Sequence, residues 1–160
     1  MADVKLSVII ATMGAKELPE VVQTFLSSYE ALEVVVVIDN PKVDKNSLFS
    51  KDIQKDMRLK ILVNDVNMGL PKSLNKGIGQ SSGEIIVRAD DDDFPEATRL
   101  QKISEFFDAH EDFDLVFSYA KGVDVDTGAS WDIQGPTDDV AIKQKLLQRN
   151  FIVHSSLAFR

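Results

Sequence analysis

Five consecutive residues, Val34-Val35-Val36-Val37-Ile38, carry no polar side-chain atom. A surface helix needs a polar outer face, and a half-buried strand alternates polar with apolar. A short β-branched run of this kind reads as a strand covered on both faces. With Leu32 and Glu33 it spans 32–38, and Asp39-Asn40-Pro41 stops it with a strong turn signal. Strands buried on both faces belong to parallel sheets flanked by helices. The chain repeats the pattern at 6–12, 59–63 and 84–89, with a further strand at 113–119.

The segments between these runs have helical spacing. Leu18, Val21, Val22, Phe25, Leu26 and Tyr29 form one apolar stripe. Leu70, Leu74 and Ile78 recur every four residues after a loop from Asn64 to Gly69, and Ser81-Ser82-Gly83 ends that helix. Residues 47–56 read as one short, weakly amphipathic helix. Phe94-Pro95-Glu96 is expected to open a helix with Leu100, Ile103, Phe106 and Phe107 inward. A hairpin follows around the Thr127-Gly128 turn. Thr137-Asp138-Asp139 then caps a helix to about 149, and 151–159 reads as extended. Alternating strands and helices predict an α/β fold, an open, mainly parallel sheet with helices on both faces. In such sheets ligands bind beyond the carboxyl ends of the strands. That edge carries Thr12, Asp39 and the run Asp90–Asp93.

Composition narrows the function. The 160 residues contain no cysteine, which excludes disulfides, thiolate metal sites and a thiol nucleophile. A net charge of −8 without a basic cluster disfavours nucleic acid as a partner. No apolar run approaches the roughly 20 residues of a membrane span. The N-terminal residues lack a signal-peptide layout, so a cytoplasmic location, or the cytoplasmic face of a membrane, is expected.

Four consecutive carboxylates repel one another, and a divalent cation relieves that repulsion. Carboxylate oxygens suit Mn²⁺ or Mg²⁺, which are commonly held by one or two carboxylates plus substrate phosphates. Asp90 and Asp92 are the expected pair. Asp93-x-x-Glu96 instead resembles a helix capping box, with Pro95 in the first turn. An EF-hand is excluded because Pro95 and Gln101 stand where Gly and Glu are required. No phosphate-binding Gly-x-x-x-x-Gly-Lys loop is present either.

Five fragments, in order, resemble the family 2 glycosyltransferases, whose nucleotide-sugar fold is called GT-A. They are Leu6–Thr12, Val34–Asn40, Asn67-Met-Gly-Leu through Asn75-Lys-Gly-Ile, Ser82–Asp93, and Asn150–Arg160. Met13-Gly14 departs from the Tyr-Asn pair usual after the opening strand. The resemblance implies a metal-dependent transferase that moves a sugar from a nucleotide-diphospho-sugar to an acceptor hydroxyl, with inversion. The acceptor would be a carbohydrate or glycoconjugate. Thr12, Asp39, Asp90 and Asp91 would bind the nucleotide-sugar, with Asp39 accepting from the base N–H and Asp91 facing the ribose. Asp90 and Asp92 would hold Mn²⁺ or Mg²⁺, Asp92 the more directly. The family's general base lies beyond its His-containing strand, and no residue matches it here. Residues 1–160 are therefore expected to form a single nucleotide-sugar-binding domain, truncated on the C-terminal, acceptor side. The alternative function is a non-catalytic nucleotide- or metal-binding module.

Several residues keep two readings. Asp39 either caps the Asn40-Pro41 turn or meets the base. Lys72 and Arg88 either offset phosphate charge or form ordinary ion pairs. His154 is structural in an apolar strand, or it approaches the metal or diphosphate. Trp131 is a packing anchor or a sugar-stacking surface.

Overall fold

A computed structural model of the chain describes residues 4–160. The residues Met1–Asp3, which the signal-peptide reading includes, lie outside the described residues. In chain order the first half consists of β1 (Leu6–Thr12), α1 (Leu18–Ser28), β2 (Leu32–Ile38), α2 (Lys45–Leu48), α3 (Lys51–Gln54), β3 (Leu59–Val63), α4 (Leu70–Ile78) and β4 (Ile85–Ala89). The second half adds α5 (Arg99–Ala109), β5 (Leu115–Phe117), β6 (Ala120–Val123), β7 (Ser130–Ile133), α6 (Asp139–Leu146) and β8 (Leu157–Phe159). A 3-10 turn over His154–Ser156 leads into β8. Six strands form one sheet in the order β3-β2-β1-β4-β8-β5, and β6-β7 is a separate hairpin.

The expected mainly parallel sheet is present. β3, β2, β1 and β4 are mutually parallel, in registers such as Ile10↔Val36 and Ile10↔Ala89. The exception is β8, which runs antiparallel to both of its neighbours. Two antiparallel steps return β5 to the direction of β4.

The continuous apolar runs are explained by cover on both sides. Leu6, Val8, Ile10, Val34, Val36 and Ile38 point into one cluster with Leu18, Val22 and Phe25 of α1 and with Leu100 and Phe107 of α5. Ile9, Val35 and Ile86 point the other way, against Leu74 and Ile78 of α4. Gly77 lets α4 sit close to that face. A Cβ there would lie 2.6 Å from Ile9 Cγ2 and 3.2 Å from Val37 Cγ2. Each fully buried Val or Ile side chain contributes about 1.5–3 kcal/mol, so these central strands are the main source of stability.

Some boundaries differ from expectation. Residues 47–56 form two short helices rather than one, because Phe49 is extended and buried between them and Ser50 caps the second. The strand expected over 113–119 shortens to 115–117, and the last helix ends at Leu146. The segment 151–159 is not continuously extended; it bends and passes through the 3-10 turn before β8. Among the described residues no helix is long and apolar enough to cross a membrane.

Candidate functional site

The parallel strands deliver their C-terminal residues to one edge. Thr12 ends β1, Asp39 follows β2, Asn64 follows β3, and Asp90–Asp93 follow β4. At the β2 corner, Asp39 is 5% exposed. Its Oδ1 accepts from Asn64 Nδ2 (2.7 Å) and Met68 N (2.7 Å), and its Oδ2 accepts from Gly69 N (2.8 Å). Burial opposes the charge, but the bonds from Met68, Asn64 and Gly69 outweigh it and hold the carboxyl below the ordinary range. The carboxylate thus fixes the 64–69 loop and the entry to α4, where Gly69 adopts φ +81°. It does not cap the Asn40-Pro41 turn; Asn40 Oδ1 does that itself by accepting from Lys42 N. A carboxylate offers about four acceptor positions, so one on Oδ2 remains.

Asn64 is a site residue that sequence reasoning missed. It is buried, and its amide also donates to Ser73 Oγ (3.0 Å), while its Oδ1 accepts from Lys76 Nζ (2.8 Å). The available signal was positional: Asn64 holds on β3 the place that Asp39 holds on β2.

The β4 corner has a different logic. Three of the four aspartates have separate partners. Arg88 Nη1 pairs with Asp90 Oδ2. Thr12 Oγ1 donates to Asp91 Oδ2 and itself accepts from Gly14 N (2.8 Å), joining β1 to the run. Ser155 Oγ donates to Asp93 Oδ2 (2.5 Å). Asp93 is therefore not the helix cap that its capping-box pattern predicts. Its carboxylate is engaged by Ser155, and α5 begins only at Arg99, with Thr98 at the N-cap position and no side-chain cap. Phe94-Pro95-Glu96 does not open the helix.

Asp92 is left without a partner from elsewhere among the described residues. Desolvation raises its pKa, and the charges of Asp91, Asp93 and Asp90 raise it further. The premise that four unpaired carboxylates share the strain is thus corrected: the strain is concentrated on one.

Two arginines underlie the run. Arg88 is 6% exposed, and its Nε has no hydrogen-bond partner among the described residues. Arg99 Nη2 donates to Arg88 O (3.2 Å) and Ser155 O (2.8 Å). Burial lowers the Arg99 pKa to about 10; Asp93 opposes that shift and Arg88 adds to it. Arg99 and Ser155 were also missed, since nothing local links residues 88, 99 and 155. They tie the turn holding His154 to the acidic run. His154 lies in that turn rather than in a strand. Burial lowers its pKa, as does the charge of Arg88, against an opposing pull from Asp90. His154 therefore belongs to the β4 corner. Lys72 is exposed on the first turn of α4, on the Asp39 side. Among the described residues no three His, Asp or Glu side chains gather as a metal cluster.

The model of a family described as Glycosyl transferase family 2 matches residues 7–159. An uncharacterised glycosyltransferase of Methanocaldococcus jannaschii is 30% identical over 122 residues, covering 74% of this chain and 42% of the relative. A UDP-Gal:alpha-D-GlcNAc-diphosphoundecaprenol beta-1,3-galactosyltransferase of Escherichia coli is 25% identical over 145 residues, 89% of this chain and 52% of the relative. The chain thus spans about half the length of these curated relatives. Among solved structures, S. aureus TarS 1-349 in complex with UDP-GlcNAc superposes with a TM-score of 0.61 at 27% identity, over 71% of this chain and 33% of that one. The mannosyltransferase PcManGT from Pyrobaculum calidifontis, in complex with GDP-Man and Mn²⁺, shares the fold at 21% identity and a TM-score of 0.58, over 71% of this chain and 34% of that one.

Proposed function

Because this chain belongs to glycosyl transferase family 2 and has its GT-A fold, we propose that its strand-end rim binds a nucleotide-diphospho-sugar and that the sugar passes to an acceptor hydroxyl with inversion. The observation that carries this reading is the convergence of three strand ends on one edge, with Thr12 bonded to Asp91 and Asp39 beside the 64–69 loop. The two corners divide the donor between them. The unused acceptor position on Asp39 Oδ2 takes a base N–H, and Thr12 and Asp91 stand between base and phosphates on the ribose side.

The β4 corner receives the diphosphate. Among the described residues Asp92 is the carboxylate of the run without a partner from elsewhere, and it is disfavoured in its charged form by its neighbours. Its hard oxygens fit Mn²⁺ or Mg²⁺, with Asp90 as second ligand once it is shared with Arg88. Among the described residues no third protein ligand is gathered, which suits an ion completed by phosphate oxygens. Such an ion, when bound, stabilises negative charge on the departing nucleoside diphosphate. Arg88 and Arg99 keep the run from accumulating uncompensated charge, and Ser155 and Arg99 hold the turn that carries His154 at the same corner. Lys72 stands at the opposite side as a cation within reach of solvent. The acceptor is a carbohydrate or glycoconjugate; the E. coli relative's name specifies a sugar on a diphospho-lipid.

Thermal unfolding with UDP or GDP, with and without Mn²⁺, tests the reading. A ligand present at a hundred times its Kd stabilises the folded state by about 2.7 kcal/mol. Nucleotide and metal together are expected to raise Tm more than either alone, and Asp92→Asn is expected to remove the metal-dependent part. Absence of any nucleotide shift would overturn the donor site. Release of free sugar or transferred product from a labelled donor separates an enzyme from a module that only binds.

A further inference from the structure

We propose that Trp131 is the stacking platform for a pyranose ring of the acceptor. This assignment rests on the donor reading above for its location and on independent geometry for its chemistry.

Location comes from topology. β5 lies two places from β4 and runs in the same direction, so Phe117 ends on the edge that carries the aspartates. The chain leaves that edge after Phe117 and returns to it at Ser155, whose hydroxyl donates to Asp93. The intervening excursion is therefore built outward from the donor rim. Its root is fixed: Tyr119 Oη donates to Gly135 O (3.0 Å), and Phe151 meets Phe117 edge-on at 5.9 Å. Phe151 also packs over Gly135, where a Cβ would lie 2.4 Å from its ring.

The hairpin beyond that root presents one aromatic ring. Gly122 and Trp131 are directly opposed across β6 and β7. A Cβ on Gly122 would lie 2.3 Å from Trp131 Cε2 and 2.5 Å from Cζ2, so the indole rests flat across the glycine backbone. A side chain at 122 would displace it. The ring is supported from one side, yet Trp131 is 55% exposed. Asp124 extends the ladder by donating its N–H to Ala129 O (2.8 Å), which puts it on the same face two residues from Gly122. Its Oδ1 accepts from Asp126 N and Thr127 N, while Oδ2 takes no part in those bonds.

An open indole face on a hairpin that also carries a carboxylate oxygen matches a pyranose, which offers an apolar C–H face and peripheral hydroxyl donors. A nucleotide base also stacks on indole, but its phosphates would meet Asp124, Asp126 and Asp132 of the same hairpin. A neutral sugar meets no such repulsion.

Trp131 is the sole tryptophan, so tryptophan emission, excited selectively over the two tyrosines, reports on this site alone. The emission is to be titrated with methyl glycosides of galactose, mannose and N-acetylglucosamine, in parallel with the thermal shift by UDP or GDP plus Mn²⁺. A saturable emission change with at least one glycoside is expected. By saturation-transfer NMR, Trp131→Ala is expected to weaken that glycoside about tenfold or more. Trp131→Phe should lose less, and Gly122→Ala should alter the free-state emission and weaken the sugar. The nucleotide shift should be unchanged in all three, which also shows that they fold. If no glycoside perturbs the emission, or if Trp131→Ala binds the sugar as well as the parent while nucleotide still binds, the platform is overturned and the donor site stands. Glycoside binding that needs Trp131 in a chain that binds no nucleotide would support the platform and overturn the donor reading.

Discussion

The Asp39 and Asp92 corners stand at equivalent places, just beyond the carboxyl ends of the parallel strands β2 and β4 that flank β1, yet their carboxylates are held in opposite ways. Asp39 is buried and accepts three hydrogen bonds, and its pKa is lowered. Asp92 is exposed beside three other carboxylates, has no partner from elsewhere among the described residues, and its pKa is raised. A carboxylate held by three protein donors is part of the fold and keeps a single acceptor position for a ligand. One without partners adds nothing to the fold and keeps its full capacity. The pair separates a carboxylate that the fold itself depends on from one that the fold does not use.

The largest expected effect comes from emptying the Asp39 corner. Asp39→Ala leaves the N–H groups of Met68 and Gly69 and the amide of Asn64 without their acceptor in a buried place. Unmet donors of this kind cost about 1–3 kcal/mol each, moderated where water enters. A loss of about 2–4 kcal/mol in urea unfolding is expected, with the 64–69 loop losing amide-exchange protection first. A loss of stability no larger than that of a surface substitution would erase the contrast between the corners.

A smaller effect tests how the aspartate run is partnered. The Ser155–Asp93 bond crosses 62 residues of sequence. Ser155→Ala and Asp93→Ala should each destabilise by about 1 kcal/mol, and the double variant should cost less than their sum. Additive losses would show that the two side chains do not act as a pair.

That bond marks where sequence reading ends. The strands 6–12, 32–38 and 59–63 were legible to the residue, because β-branched runs and turn signals are local properties of the chain. The rim was legible too, since a parallel sheet puts every strand end on one edge. The insertion of β8 between β4 and β5 was not, because chain order does not determine which strands pair. Partner choice was equally hidden: Thr12 reaches Asp91 across 79 residues, and Asn64 reaches Asp39 across 25. Asp93-x-x-Glu96 had the right local pattern for a cap, and a distant serine took the carboxylate instead. Trp131 was visible as a candidate, but the glycine facing it became evident only once the hairpin register was known.

The smallest effect concerns Asp92, and here the sign is the test. A carboxyl whose pKa is raised by folding binds its proton more tightly in the folded state. Its ionisation therefore opposes folding at neutral pH, and that penalty disappears as pH falls through the raised pKa. Asp39 has the opposite sign: its contribution is present above the unfolded carboxyl pKa and is lost as pH falls through the lowered one. Asp92→Asn is expected to be more stable than the parent at pH 7 by a few tenths of a kcal/mol, within the range of about ±0.5 typical of exposed positions. The advantage should shrink toward zero as the solution is acidified into the carboxylate range, where both chains carry a neutral group at 92. Chemical unfolding of the two chains, without metal, at a series of pH values measures the difference. A variant less stable than the parent at neutral pH, or a gap that widens on acidification, would show that Asp92 has a stabilising partner and would place both corners in the same structural class.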